Sequence, residues 1–127
     1  IIGIGLPDDF KKYVENLPNV EYLGFVDNPY EIIANSKAVI SPILSGAGVK
    51  VKVVESLACG TPVVGNEFAF EGISQDFSDF MLPAESPSDY AKRIDSIVFD
   101  CAARGEFKNL FLRKYQSRSI PAYLKEL

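Results

Sequence analysis

Four small residues, followed by a spaced set of lysines and a glutamate, are the part of this chain best equipped for chemistry. Ser45, Gly46, Ala47 and Gly48 form a stretch with little side-chain bulk, and Lys50, Lys52 and Glu55 come next. Glycine adopts backbone conformations that other residues avoid, so such a loop lets a ligand approach the main chain closely. A helix beginning just beyond Gly48 would aim amide N–H groups without intrahelical partners at any anion held there. Lys50 or Lys52 would add positive charge. Glu55, about two turns further on, supplies an acceptor-only carboxylate for hydroxyl groups of the same ligand. The set suits a phosphorylated, hydroxyl-rich molecule.

Those residues need an element on either side to position them. Ala38 to Ser41 reads as a strand bounded by Pro42, and Thr61 to Val64 as a continuous apolar strand of the kind buried on both faces. Between them, Val49 to Val53 alternates valine with lysine, which is a strand pattern. A helix fits the longer window better. Val51, Val54, Leu57 and Ala58 fall on one face, Lys52, Glu55, Ser56 and Cys59 on another, and Gly60 with Pro62 stands where a helix stops. The spacing therefore predicts a helix, against local propensity.

The rest of the chain alternates in the same way. Residues 1–5 and Val20 to Val26 read as strands, and Phe80 to Leu82 as a weaker one. A helix capped by Asp8 or Asp9 carries Phe10, Tyr13, Val14 and Leu17 up to Pro18-Asn19. Asp27-Asn28-Pro29 opens a short helix through Asn35. Ser86-Pro87-Ser88-Asp89 opens another, with a stripe of Tyr90, Ile94, Ile97, Val98 and Cys101. Phe107, Leu110, Phe111 and Tyr115 suggest a further helix, and a short one closes the chain after Pro121. Alternating strands and helices predict an α/β fold, a Rossmann-like parallel sheet with helices on both faces. Ligands of such sheets bind beyond the C-terminal strand ends. The turn after Val26, the loop from Pro42 to Gly48 and the stretch from Gly65 to Gly72 all lie at that edge.

Composition narrows the classes. With 127 residues, 47% hydrophobic and 24% charged, the chain is of single-domain size and globular character. A net charge of −4 argues against a nucleic-acid partner held on a broad basic face. Lys108, Arg113, Lys114 and Arg118 form a modest basic group that reads as the solvated side of a helix. Histidine is absent, which removes Ser-His-Asp and Cys-His schemes and histidine-ligated metals. There is no Asp-x-Asp motif, so the sequence calls for no divalent metal. Cys59 and Cys101 lie in apolar segments without C-x-x-C spacing and read as reduced core thiols of a cytoplasmic protein. No run approaches the ~18 apolar residues of a membrane span, and no signal-peptide pattern is present. The chain opens on Ile1-Ile2-Gly3-Ile4-Gly5 with no initiator Met, which reads as one domain, 1–127, of a longer protein, entered after its first strand.

The run from Gly48 through Lys50, Lys52 and Glu55 to Ala58-Cys59-Gly60-Thr61-Pro62-Val63-Val64, followed by Glu71-Gly72-Ile73, resembles the group 1 glycosyltransferases. The closer likeness is to the C-terminal, donor-binding half of family 4 enzymes with the two-domain GT-B fold, and it spans roughly residues 1–100. The resemblance implies that Glu55 accepts from the ribose hydroxyls of a nucleotide. It further implies that the amides of Gly46, Ala47 and Gly48 face the diphosphate, and that Lys50 or Lys52 lies near the phosphates. Phe25 and Val26 match the loop that walls the nucleobase, and Glu71 a position near the ribose or sugar. Catalytic residues are not identified by it.

Many members carry a second glutamate eight positions before the ribose-binding one; here that position is Ala47. The family's diphosphate-clamping Arg/Lys pair and its acceptor-binding N-terminal domain precede the segment matched. The implied activity is transfer of a hexose or related sugar from a nucleotide-diphosphate donor to a sugar or glycolipid acceptor. It would be retaining by analogy, need no cofactor beyond the donor, and allow peripheral association with the inner membrane face. Alternatives are a GT-B nucleotide-sugar epimerase, which the missing histidines disfavour, and a catalytically silent nucleotide- or sugar-binding module. A phospho-receiver needs an aspartate ending its third strand, where this chain has Ser41-Pro42. For Glu55 the plain alternative is a surface pair with Lys52, worth only ~0.3–0.5 kcal/mol.

Overall fold

Short β-branched runs pair into a sheet, and the amphipathic stretches between them cover it. The computed structural model describes residues 1–115. Its elements are α1 (Asp8–Glu15), α2 (Pro29–Asn35), β1 (Val39–Ser41), α3 (Val51–Ala58), β2 (Val63–Gly65), β3 (Met81–Pro83), α4 (Pro87–Ser96) and α5 (Cys101–Lys114). The strands run parallel in the order β1-β2-β3, with Val39 opposite Val63 and Val63 opposite Met81. Val63 and Val64 point to opposite faces, as successive strand residues must, and both are 0% exposed. The central strand is thus covered on both sides, with α3 packed on β1 and β2 and α4 on β2. This is the expected Rossmann-like α/β arrangement. Between β2 and β3, however, the crossover consists of two 3-10 turns, Glu67–Phe70 and Gln75–Phe80, in place of an α-helix.

The segment that read both ways is a helix. Its end explains why: Thr61 N–H bonds to Ser56 C=O at 3.0 Å and Gly60 N–H to Leu57 C=O at 2.9 Å, closing a Schellman motif. Gly60 has φ +74°, and a Cβ there would stand 2.7 Å from the Arg104 carbonyl oxygen. Only glycine fits. The buried face is Val53, Ser56, Leu57 and Ala58, so the expected stripe is rotated. Val51 is 68% exposed because it is the first helical residue, at the open end over the loop.

Other expectations change: neither Asp8 nor Asp9 caps α1, because both lie inside its first turn and Pro7 is the N-cap, with no side-chain bond. The strand from Val20 to Val26 shrinks to one parallel bridge, Ile2 with Gly24, outside the three-stranded sheet. Gly3, Gly5 and Gly24 all adopt positive φ, which breaks both extended runs. The stripe from Tyr90 to Cys101 divides: α4 ends at Ser96, and Asp100 caps α5 through the Ala102 and Ala103 amides at 2.9 and 3.0 Å. Cys101 is consequently exposed at the start of α5, so the core-thiol reading holds for Cys59 alone. Arg118 and the helix expected after Pro121 lie outside the described residues.

The core sits between the sheet, α3 and α5, where Val53, Leu57, Val63, Phe77, Met81, Phe107 and Phe111 pack together. Phe77 fills its centre, with ring centroids 4.7 Å from Phe111, 5.9 Å from Phe107 and 5.6 Å from Tyr115. One buried cation joins this core to α2. The Arg104 guanidinium donates to the carbonyls of Ser36 at 2.7 Å, Lys37 at 2.6 Å and Ala34 at 3.4 Å. It therefore satisfies carbonyls that the C-terminus of α2 leaves unpaired.

Candidate functional site

In a parallel sheet β1 and β2 end at the same edge, and the two loops leaving them meet there. Ser41 is buried at the end of β1, and Gly65 ends β2 where a Cβ would lie 2.9 Å from the Ser41 carbonyl oxygen and 2.6 Å from Ala69 Cβ. Just beyond it, the Asn66 side chain donates to Ile43 C=O at 2.7 Å and accepts from Ile43 N–H at 3.3 Å. That two-point clamp sets where the loop from Pro42 departs. Asn66 was missed from sequence, although a side-chain amide directly after a strand-ending glycine is a signal of such a clamp.

The loop then turns through Gly46 at φ +109° and Gly48 at φ +81°, left-handed values that favour glycine. Lys50 is the N-cap of α3 but makes no side-chain capping bond; Val53 N–H already donates to Lys50 C=O at 3.0 Å, so the Val51 and Lys52 amides are the first-turn donors left for a ligand or solvent. The Lys50 ammonium folds back instead, donating to Gly48 C=O at 2.5 Å and Gly46 C=O at 3.5 Å. Glu71, from the loop after β2, accepts from Gly48 N–H at 3.0 Å and stands 3.6 Å from Lys50 Nζ. The structure thus brings Gly46, Gly48, Lys50 and Glu71 together, with Ala47 in the same turn. Lys52 is exposed on α3, on the first turn of the helix.

Glu55 lies in the second turn of α3, partly buried. It does not pair with Lys52; its Oε1 accepts from the Tyr30 hydroxyl at 3.0 Å. Tyr30 follows Pro29 at the start of α2, so this bond ties the turn after Val26 to the flank of α3. Tyr30 was also missed from sequence, since nothing local links a helix-start tyrosine to a carboxylate 25 positions away. Phe25 stands 73% exposed in that turn and Val26 is half-buried, so core packing does not account for Phe25.

Chemically the cluster can bind and neutralise an anion and accept from hydroxyls. It contains no thiol, and among the described residues no group of acidic or cysteine side chains could hold a metal ion. Nor does any described helix have the length and apolarity to cross a membrane. A groove of about 940 Å³ lies elsewhere, between the 3-10 turn at Gln75–Phe80 and α5, lined by Asp79, Phe80, Phe107, Leu110 and Arg113. It includes none of the loop residues.

The cysteines differ in a way that can be measured. Burial pushes the Cys59 thiol up to about 11, only partly offset by Lys108. An unfolded thiol ionises from about pH 8.5, so the folded state retains a proton that the unfolded state loses. Stability is therefore expected to be fully present below that value and to fall as pH rises toward about 11. Urea titrations across that window should show the decline, and Cys59→Ala should flatten it. At neutral pH, mass spectrometry should find iodoacetamide on Cys101 and none on Cys59 until the chain is unfolded.

Comparison with protein families agrees with the fold. The chain matches no curated protein and no solved structure at a significant level. The family model described as glycosyl transferases group 1 matches residues 1–100, which takes in α1 to α4 and the whole glycine-loop cluster. The chain belongs to the group 1 glycosyl transferases.

Proposed function

We propose that residues 1–127 are the donor-side domain of a glycosyltransferase of GT-B type, binding a nucleotide-diphosphate sugar whose sugar is passed to an acceptor held by a second domain. The observation that carries this is the course of one segment: a left-handed glycine loop runs into an uncapped α3, with Lys50 over the loop and Glu55 one turn on. Amides of Gly46, Ala47 and Gly48 and the first turn of α3 take the diphosphate. Lys50 adds the nearest positive charge. Glu55, oriented by Tyr30, accepts from the ribose hydroxyls, while Phe25 and Val26 wall the base. During transfer, negative charge grows on the departing diphosphate. Preorganised amides and the ammonium stabilise that charge without reorganisation, so leaving-group departure is the step this domain assists.

No metal or further cofactor takes part in this scheme. The acceptor is a sugar or glycolipid met in the cytoplasm or at the inner membrane face, and transfer retains configuration. Calorimetric titration of the chain with UDP, GDP and ADP, each with and without its sugar, is the direct test. One nucleoside diphosphate is expected to bind in the micromolar to millimolar range, weakly because one wall of the cleft is engaged, and no sugar should be transferred. Absence of binding by all three would leave a silent module.

A further inference from the structure

A carboxylate of the protein already sits where the proposed ligand's phosphate would go. Glu71 Oε2 accepts the Gly48 N–H at 3.0 Å and lies 3.6 Å from Lys50 Nζ. One backbone donor and the one cation of the loop cluster are thus engaged by an anion from the chain itself. We infer that Glu71 is a built-in competitor of the phosphate, holding the glycine loop in shape until the ligand displaces it; this rests on the nucleotide-diphosphate reading above.

Two observations show that the contact is built and yet releasable. Gly72 has φ +78°, and a Cβ there would come within 2.7 Å of Val49 Cγ2. Only glycine lets the backbone at 71–72 press against the loop, so the fold itself delivers Glu71 to Gly48. The Glu71 side chain is nevertheless 49% exposed, and among the described residues Gly48 and Lys50 are its only partners. It can swing into water without disturbing the core. Besides Glu71, the loop is held by the Asn66 clamp and by the Lys50 ammonium on the Gly46 and Gly48 carbonyls, and neither glycine has a neighbour within 4 Å of where a Cβ would be. A phosphate oxygen and the carboxylate oxygen cannot both take the Gly48 amide, and their like charges repel. Ligand affinity is therefore lowered by the fraction of time the carboxylate is in place.

The test compares Glu71→Ala with Glu67→Ala, each of which removes one negative charge from the same loop. Inorganic pyrophosphate and the three nucleoside diphosphates are titrated by calorimetry, and exchange of the Gly48 amide is followed by NMR. Glu71→Ala is expected to tighten pyrophosphate binding by about tenfold and to speed Gly48 exchange severalfold. Glu67→Ala should change affinity by less than about twofold, the share owed to screened long-range charge. Equal gains in the two variants would reduce Glu71 to a bulk-charge effect and overturn the inference. Unchanged or weaker binding in Glu71→Ala, with nucleoside diphosphate still bound by the parent chain, overturns it while leaving the site intact. Failure of every variant to bind any of the four probes removes the nucleotide reading and this inference with it.

Discussion

Replacing Glu55 with alanine is expected to weaken nucleoside diphosphate binding by roughly tenfold or more, that is, by at least ~1.4 kcal/mol. One carboxylate can accept from two vicinal hydroxyls, and hydrogen bonds to a charged group are worth ~1.5–3 kcal/mol each. Glu55→Gln keeps one acceptor without the charge and should fall between parent and alanine variant. Tyr30→Phe removes the donor that holds the carboxylate at 3.0 Å, so it should cost less, about threefold, through lost orientation. Calorimetry gives the affinities, and unchanged melting curves exclude unfolding as the cause. A surface role predicts a different pattern: with Glu55 merely solvated, all three variants would bind as the parent does. That result would remove the central residue of the proposed site.

The second large effect is on stability. Arg104→Ala should destabilise the fold by about 3 kcal/mol, which for a domain of this size lowers the melting midpoint by on the order of 10 °C. Arg104 is 6% exposed and the carbonyl partners of its guanidinium belong to residues 34, 36 and 37. Removing it leaves part-buried acceptors unpaired and also loses a ring contact, since the Arg104 guanidinium lies 3.8 Å from the Phe99 ring centroid. Burial holds its pKa below the usual arginine value, the mark of a cation kept in a dry place by its hydrogen bonds. Arg104→Lys retains charge but not the planar fork, so it should recover only part of the loss. Since α2 also carries Tyr30, nucleotide affinity should fall along with stability. A melting midpoint within a degree or two of the parent would show that the end of α2 finds water instead.

What was legible from sequence was the segment around the glycine loop. Gly46, Gly48, Gly60 and Pro62 constrain the backbone locally, so the turn and the end of the helix follow from type and spacing. The helix over Val51–Ala58 could be argued against its own β-branched residues because Gly60 fixes where it ends. By contrast, α4 and α5 merged into one stripe, since the break at 97–100 depends on Asp100 finding two amides ahead of it.

Sequence periodicity located apolar faces but misjudged which residues go inside. Cys101 sits in an apolar stretch yet ends up exposed, because the helix boundary turned it outward. Val20 to Val26 has strand composition, but a strand needs neighbours on its edges, and with Gly24 at φ +64° it makes a single bridge.

The amino-acid order by itself determined the α/β class, the family, and a glycine loop running into a helix, because glycine placement, helix stops and strand runs are properties of neighbouring residues. Only the tertiary structure decided that Tyr30 holds Glu55, that Asn66 clamps Ile43, that Arg104 closes α2 and that Glu71 occupies the Gly48 amide. Each of those bonds joins residues about 20 to 70 positions apart. Their geometry is created when parallel strands bring separate loops to one edge, and no local pattern encodes that meeting.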